Sequence, residues 1–312
     1  MASSKGRVKK KASTSLGTAA GKKVAAKKST AKKAPSKRRA TPAVTLKKAT
    51  RAAPAARPVK VTRASAKAFV AAARLPAAPK HARLRGVVAA SFDDDAPQAA
   101  VVGSGLVSFT AGVPAQRRED LCNATLLAQL AANRRVPDRS HVLAWFDAYF
   151  TALMNLGWVL QQTGFREVSS EFDGLETHEA VREAAAAMLA PNPAALAVLA
   201  ATLDAVQSMD RNSPWITIFD RESRDTKTTH FQIALADQQP DGGLVMHLLA
   251  FSLEANAKIT QVLFFKLKKK RVRLQQNSGQ AVVDVGVLTS VRGALKARLA
   301  ERVTDYIATV DI

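Results

Sequence analysis

The chain has 312 residues, with 47 Lys plus Arg against 25 Asp plus Glu and a formal net charge of +22. Residues 1–85 hold 25 of those basic residues and no acid, so residues 86–312 carry 22 basic and 25 acidic residues and a net charge of −3. One cysteine, Cys122, excludes an internal disulfide framework. No apolar run reaches the roughly 18 residues of a membrane-spanning helix, and no apolar core of a secretory signal follows Met1. An intracellular location, nucleoid or nucleus, is the expectation.

The first segment cannot fold alone. It has no aromatic residue before Phe69, and Pro35, Pro42, Pro54 and Pro58 interrupt any helix its alanines favour. Isolated Val and Leu among lysines cannot offset the roughly 1–2 kcal/mol of backbone entropy lost per ordered residue. Residues 1–98 are therefore expected to be a disordered polycationic tail and linker. Its candidate phosphate contacts are Lys9, Lys10, Lys11, Lys22, Lys23, Lys27, Lys28, Lys32, Lys33, Lys37, Arg38, Arg39, Lys47 and Lys48. A polycation gains free energy on a polyphosphate by releasing condensed counterions, which makes binding salt-dependent and indifferent to sequence.

The repeated theme of Lys9-Lys10-Lys11-Ala12, Lys32-Lys33-Ala34-Pro35 and Lys37-Arg38-Arg39 resembles the Lys/Ala/Pro-rich tails of linker-histone-like proteins, including bacterial ones. The resemblance is compositional and covers about a fifth to a quarter of the chain. It implies DNA compaction or nucleic-acid tethering, and nothing about the rest of the chain. The Ser-rich, acid-free start also has the composition of an organellar transit peptide, although its lysine density and length fit that poorly.

Residues 64–75 predict a short helix, with Lys67 and Arg74 near one face and Phe69 pointing elsewhere. A helix this short needs a partner to form. After Asp93-Asp94-Asp95, a single folded domain is expected over 99–312. Residues 99–109 read as one extended segment. A helix follows over 116–133, then a second from Ser140 that carries Phe146, Phe150, Leu153, Leu156 and Val159 toward Gly164. Thr177 opens a third helix with Glu179 in its first turn, and 194–208 form a fourth, Ala-rich one.

Beyond Ser213-Pro214 the apolar period changes from about 3.6 to 2. Residues 215–219, 228–236, 244–253 and 259–267 read as strands, with turns at Pro240–Gly243 and Asn277-Ser278-Gly279. Short connections imply an antiparallel meander, with Leu244–Leu253, apolar on both faces, at its centre. A last helix over 285–308 places Leu288, Val291, Leu295, Leu299, Val303 and Ile307 on one stripe, suited to cover a sheet face. The fold class is α+β, with the helical part over 116–208 and the sheet with its C-terminal helix over 214–308.

The chemical inventory is thin, and the sequence nominates no catalytic residue, metal ligand or cofactor. Gly17–Lys23 lacks the spacing and the Ser or Thr of a phosphate-binding loop, and Gly103-Ser104-Gly105 stops short of a dinucleotide fingerprint. Cys122 sits among leucines as a filling thiol, and the five histidines show no ligand spacing. Glu171, Asp173, Glu176, His178 and Glu179 read as a turn and an acidic helix start. Asp220, Glu222 and Asp225 read as a charged hairpin turn.

Residues 266–273 form a second basic patch, with Lys266, Lys268, Lys270, Arg271 and Arg273 at the end of an apolar strand. They suit a lysine-guarded sheet edge, a second anionic contact or an import signal. The leading functional expectation is non-enzymatic, sequence-nonspecific binding of nucleic acid or another polyanion by the tail, with the folded domain serving homo-oligomer assembly or a partner. The alternatives are a self-assembling or pore-forming effector at an anionic membrane surface, and an enzyme with a basic tether.

Overall fold

The structure is a computed structural model that describes residues 60–78, 91–268, 270–310 and 312. The expected disorder and the phosphate contacts of residues 1–59 lie outside them. Along the chain run α1 (Arg63–Ala72), β1 (Gln98–Val102), β2 (Gly105–Phe109), α2 (Ala115–Arg135), α3 (Val142–Asn155), β3 (Trp158–Gln162), β4 (Arg166–Glu167) and α4 (Thr177–Leu189). Then come α5 (Pro193–Ser208), α6 (Pro214–Ser223), β5 (Thr228–Gln238), β6 (Leu244–Ala255), β7 (Val272–Val283), α7 (Val285–Leu299), α8 (Val303–Tyr306) and β8 (Ile307–Val310).

The fold is α+β. One sheet has the order β3-β7-β6-β5-β2-β1-β8, with β4 also paired to β7. Side chains alternate across it. On β6, Leu244, Met246, Leu248 and Ala250 enter one core with α1, α2, α3 and α7, while Leu249, Phe251 and Leu253 enter another with α4, α5 and α6. This strand lies between β5 and β7, the central place its two apolar faces predict. The meander β5–β6–β7 is antiparallel, but β2 pairs with β5 in parallel, so the sheet is mixed. The helical segment between β2 and β5 supplies the long crossover that a parallel pair requires.

Several boundaries differ from the sequence reading. Residues 99–109 are a tight hairpin: Gly103 takes φ 53°, and the Gln129 amide reaches into the turn, donating to Val102 O at 2.8 Å and accepting from Ser104 N at 3.2 Å. Helix α3 stops at Asn155, and Gly157 at φ 92° redirects Val159 into β3. Residues 214–223 are helical. Ser213 Oγ accepts from Ile216 N and Pro214 occupies the first turn, so the capping pattern prevails over a short alternation.

Residues 259–267 form no strand. Ile259, Val262, Leu263 and Leu267 are buried in the second core, and the Leu263 and Phe265 carbonyls accept from the first amides of α4. Asn277-Ser278-Gly279 lies inside β7, where a Cβ on Gly279 would overlap the Gln161 carbonyl oxygen and sit 3.1 Å from Gln162 Cα. Glycine is there for close backbone approach, not for a turn. The C-terminal helix ends at Leu299, and Ile307 enters the edge strand β8.

The linker reading of 1–98 also needs correction. Thr62 and Ser65 form a reciprocal capping box at the start of α1, and Ala66, Val70 and Ala73 are buried in the first core, mainly against α7. The helix is marginal by itself and forms because α7 covers its apolar stripe. Asp94 accepts from Ala115 N, so the acidic run caps α2.

Candidate functional site

The second basic patch is not a hairpin on a free edge. Lys266, Lys268, Lys270, Arg271 and Arg273 are all exposed, and Arg271 N donates to Lys268 O at 2.7 Å, closing a turn. The strand that follows, β7, is flanked by β6 on one side and by β3 and β4 on the other, so these cations guard no edge. Carboxylates are interleaved among them. Arg273 pairs with Glu167 at 3.4 Å and stands opposite Glu254 in the sheet, and Lys266 bridges to Glu176 through the backbone.

A denser concentration of uncompensated charge lies where the C-terminal ends of α1, α2 and α7 meet. Arg74 follows α1, Arg134 and Arg135 close α2, Arg298 lies in the last turn of α7, and Arg302 follows it. Two adjoining recesses of about 550 and 440 Å³ share Ala72, Ala73, Arg74 and Arg134. The larger is also lined by Phe69, Arg135, Ala148 and Ala152, and the smaller by Arg298 and Arg302. Among the described residues, no carboxylate lines either one. Among the described residues, none of the five guanidinium groups has a carboxylate within 4.0 Å, whereas Arg139, Arg166, Arg182, Arg221, Arg273 and Arg292 each do.

Two of the five also shape the site. Arg298 donates to Ala73 O, and Arg302 donates to Pro76 O at 3.0 Å, so the end of α1 is held over α7. Sequence reading missed this cleft because its residues come from three separated segments. The signals available were Arg134-Arg135 at a helix end and the Arg298, Arg302 pair spaced four apart.

Several titratable groups singled out in the sequence have structural roles. Cys122 is buried, and burial pushes its thiol far up, which leaves it inert. Glu176 and Glu179 form a capping box at α4, Glu171 pairs with Arg166 at 2.7 Å, and His178 Nδ1 lies 3.2 Å from Leu263 O. Asp220 and Glu222 sit on α6 and not in a hairpin turn. Asp220 accepts from Val262 N at 2.8 Å, and burial raises its carboxyl above the usual range. His247 is mostly buried in β6, its ring 3.4 Å from the Gln280 amide, with its pKa lowered by burial. Among the described residues, no three His, Cys, Asp or Glu side chains cluster as a metal site. None of their helices is long and apolar enough to cross a membrane.

No family model and no curated protein matches the chain. Among solved structures, a delta-endotoxin is similar at 13% identity and a TM-score of 0.35, over 67% of this chain and 91% of its own. The Evf virulence factor is similar at 8% identity and a TM-score of 0.28, over 66% and 84%. Likenesses this low carry no argument about function.

Proposed function

We propose that this protein is a non-enzymatic, sequence-nonspecific nucleic-acid binder whose Lys-rich N-terminal segment makes the principal phosphate contacts. The observation that carries this reading is the charge division: 25 basic residues and no acid up to residue 85, against a net −3 beyond it. Ahead of α1, a stretch with that composition offers few apolar side chains for a core and binds polyphosphates by counterion release. The α+β body serves assembly or a partner, and a nucleoid or nuclear location belongs to the same reading.

The test compares the full chain with one lacking residues 1–55, on two unrelated duplex sequences at two salt concentrations. The reading predicts that the truncated chain loses most of its affinity, equally on both sequences, while its thermal unfolding stays nearly unchanged. Full affinity without the segment, or a strong preference for one sequence, overturns it.

A further inference from the structure

We propose that the arginine-lined cleft at the ends of α1, α2 and α7 is a second phosphate site, one that holds the backbone of the nucleic acid whose other phosphates meet the Lys-rich segment. This rests on the nucleic-acid reading above. Guanidinium forks match phosphate oxygens two at a time, and arginine is the side chain best suited to that geometry. Five of them border two adjoining recesses that no carboxylate lines among the described residues.

Cations at helix C-termini have a structural explanation, since they offset the macrodipole. Three helix ends supply about −0.5 charge each, roughly −1.5 against five guanidinium charges, so most of the positive charge is left over. Among the described residues, no carboxylate comes within 4.0 Å of these guanidinium groups to take up the excess. Glu301, beside Arg302 in sequence, makes no ion pair with any of the five among the described residues.

Helix α1 is the first described element after the Lys-rich segment. It continues directly from the Lys-rich segment, contains no acid, and exposes Arg63 and Lys67 before Arg74 enters the cleft wall. In sequence, no acidic residue stands between the Lys-rich segment and Arg74. A phosphate shared by Arg74 of the α1 side and Arg134 of α2 ties α1 to the body, so binding also fastens this helix.

The experiment uses the full chain with Arg74→Gln, Arg134→Gln and Arg135→Gln combined, three exposed residues with no side-chain hydrogen bond or ion pair among the described residues. A control of equal charge change carries Lys227→Gln, Lys258→Gln and Arg211→Gln, exposed residues away from the cleft and from the 266–273 patch. Thermal unfolding checks that both fold. On a short duplex, the cleft variant should bind about tenfold or more weakly, and its log–log salt slope should flatten by about 2–3 units, near 0.9 per lost phosphate contact. The control should stay within about threefold of the unsubstituted chain. Hydrogen exchange in residues 63–72 should slow on adding the duplex to the unsubstituted chain and not to the cleft variant.

Equal effects of the two triple variants, or no effect of the cleft variant, overturn the cleft while leaving the tail reading intact. Absence of duplex binding by the unsubstituted chain removes both. Loss of binding to phosphatidylserine vesicles with duplex binding unchanged assigns the cleft to a lipid headgroup and overturns the proposal.

Discussion

The imidazole of His230 lies with its centroid 3.9 Å from the ring of Trp145, buried between β5 and α3, and its Nε2 has no hydrogen-bond partner. Phe146 closes the same space at 6.1 Å. A protonated ring here would lose its water and gain nothing. Burial, the larger cause, and the charge of Arg139 together lower the His230 pKa to about 3.

The sign of the resulting pH dependence is fixed. Between the unfolded value near 6.5 and the folded value, only the unfolded chain takes up this proton. Stability is full above about pH 6.5 and falls with acidification by up to about 1.4 kcal/mol per unit, or about 2–3 kcal/mol by pH 4.5. Urea unfolding of the wild type and of His230→Phe at pH 7 and 4.5 should show the variant losing less by about that amount. The comparison is needed because Asp220, with a raised pKa, contributes in the opposite sense. Parallel losses in the two proteins would show that His230 is not the acid-sensitive group.

A second expectation concerns β7. Gly279→Val places a side chain against the backbone of Gln161 and Gln162 on the neighbouring strand, which cannot move as a side chain can. The substitution should cost about 1–3 kcal/mol and separate β3 from β7. Gly242→Ala, at a loop glycine with open space around it and φ 80°, should cost less. Denaturant midpoints for the two variants check the order.

Helix α1 should behave as part of the folded body. Val70 is fully buried in the core shared with α7, so Val70→Asp should undock the helix. Hydrogen exchange in residues 66–72 should then become fast, while β5 and β6 keep their protection. Unchanged exchange in α1 would contradict its docking.

Long periodic segments were the most legible part of the chain. Helices α2 and α5 and the central strand β6 follow from their apolar spacing, because each has enough residues to fix a period. Legibility failed where context decided the outcome. Residues 259–267 alternate like a strand but are anchored by their carbonyls to the first turn of α4, a partner far away in sequence. Gly279 reads as a turn residue until the neighbouring backbone is in place. The pairing of β2 with β5 joins residues far apart in the chain and leaves no local trace. The cleft was illegible for the same reason: Arg74, Arg134 and Arg298 share nothing in sequence but their charge.

The most direct measurement of the central claim is the salt dependence of duplex binding by the full chain. The logarithm of affinity should fall linearly with the logarithm of salt concentration, by roughly 0.9 per contacted phosphate. Replacing Lys27, Lys28, Lys32 and Lys33 together with glutamine should flatten that slope by as much as about 3–4 units, less if other lysines slide into the vacated contacts. The loss should be equal on unrelated sequences, because phosphates look alike whatever base they carry. A shallow slope that these substitutions leave unchanged, with a large preference for one sequence, would contradict the account and place recognition on a base-reading surface of the α+β body.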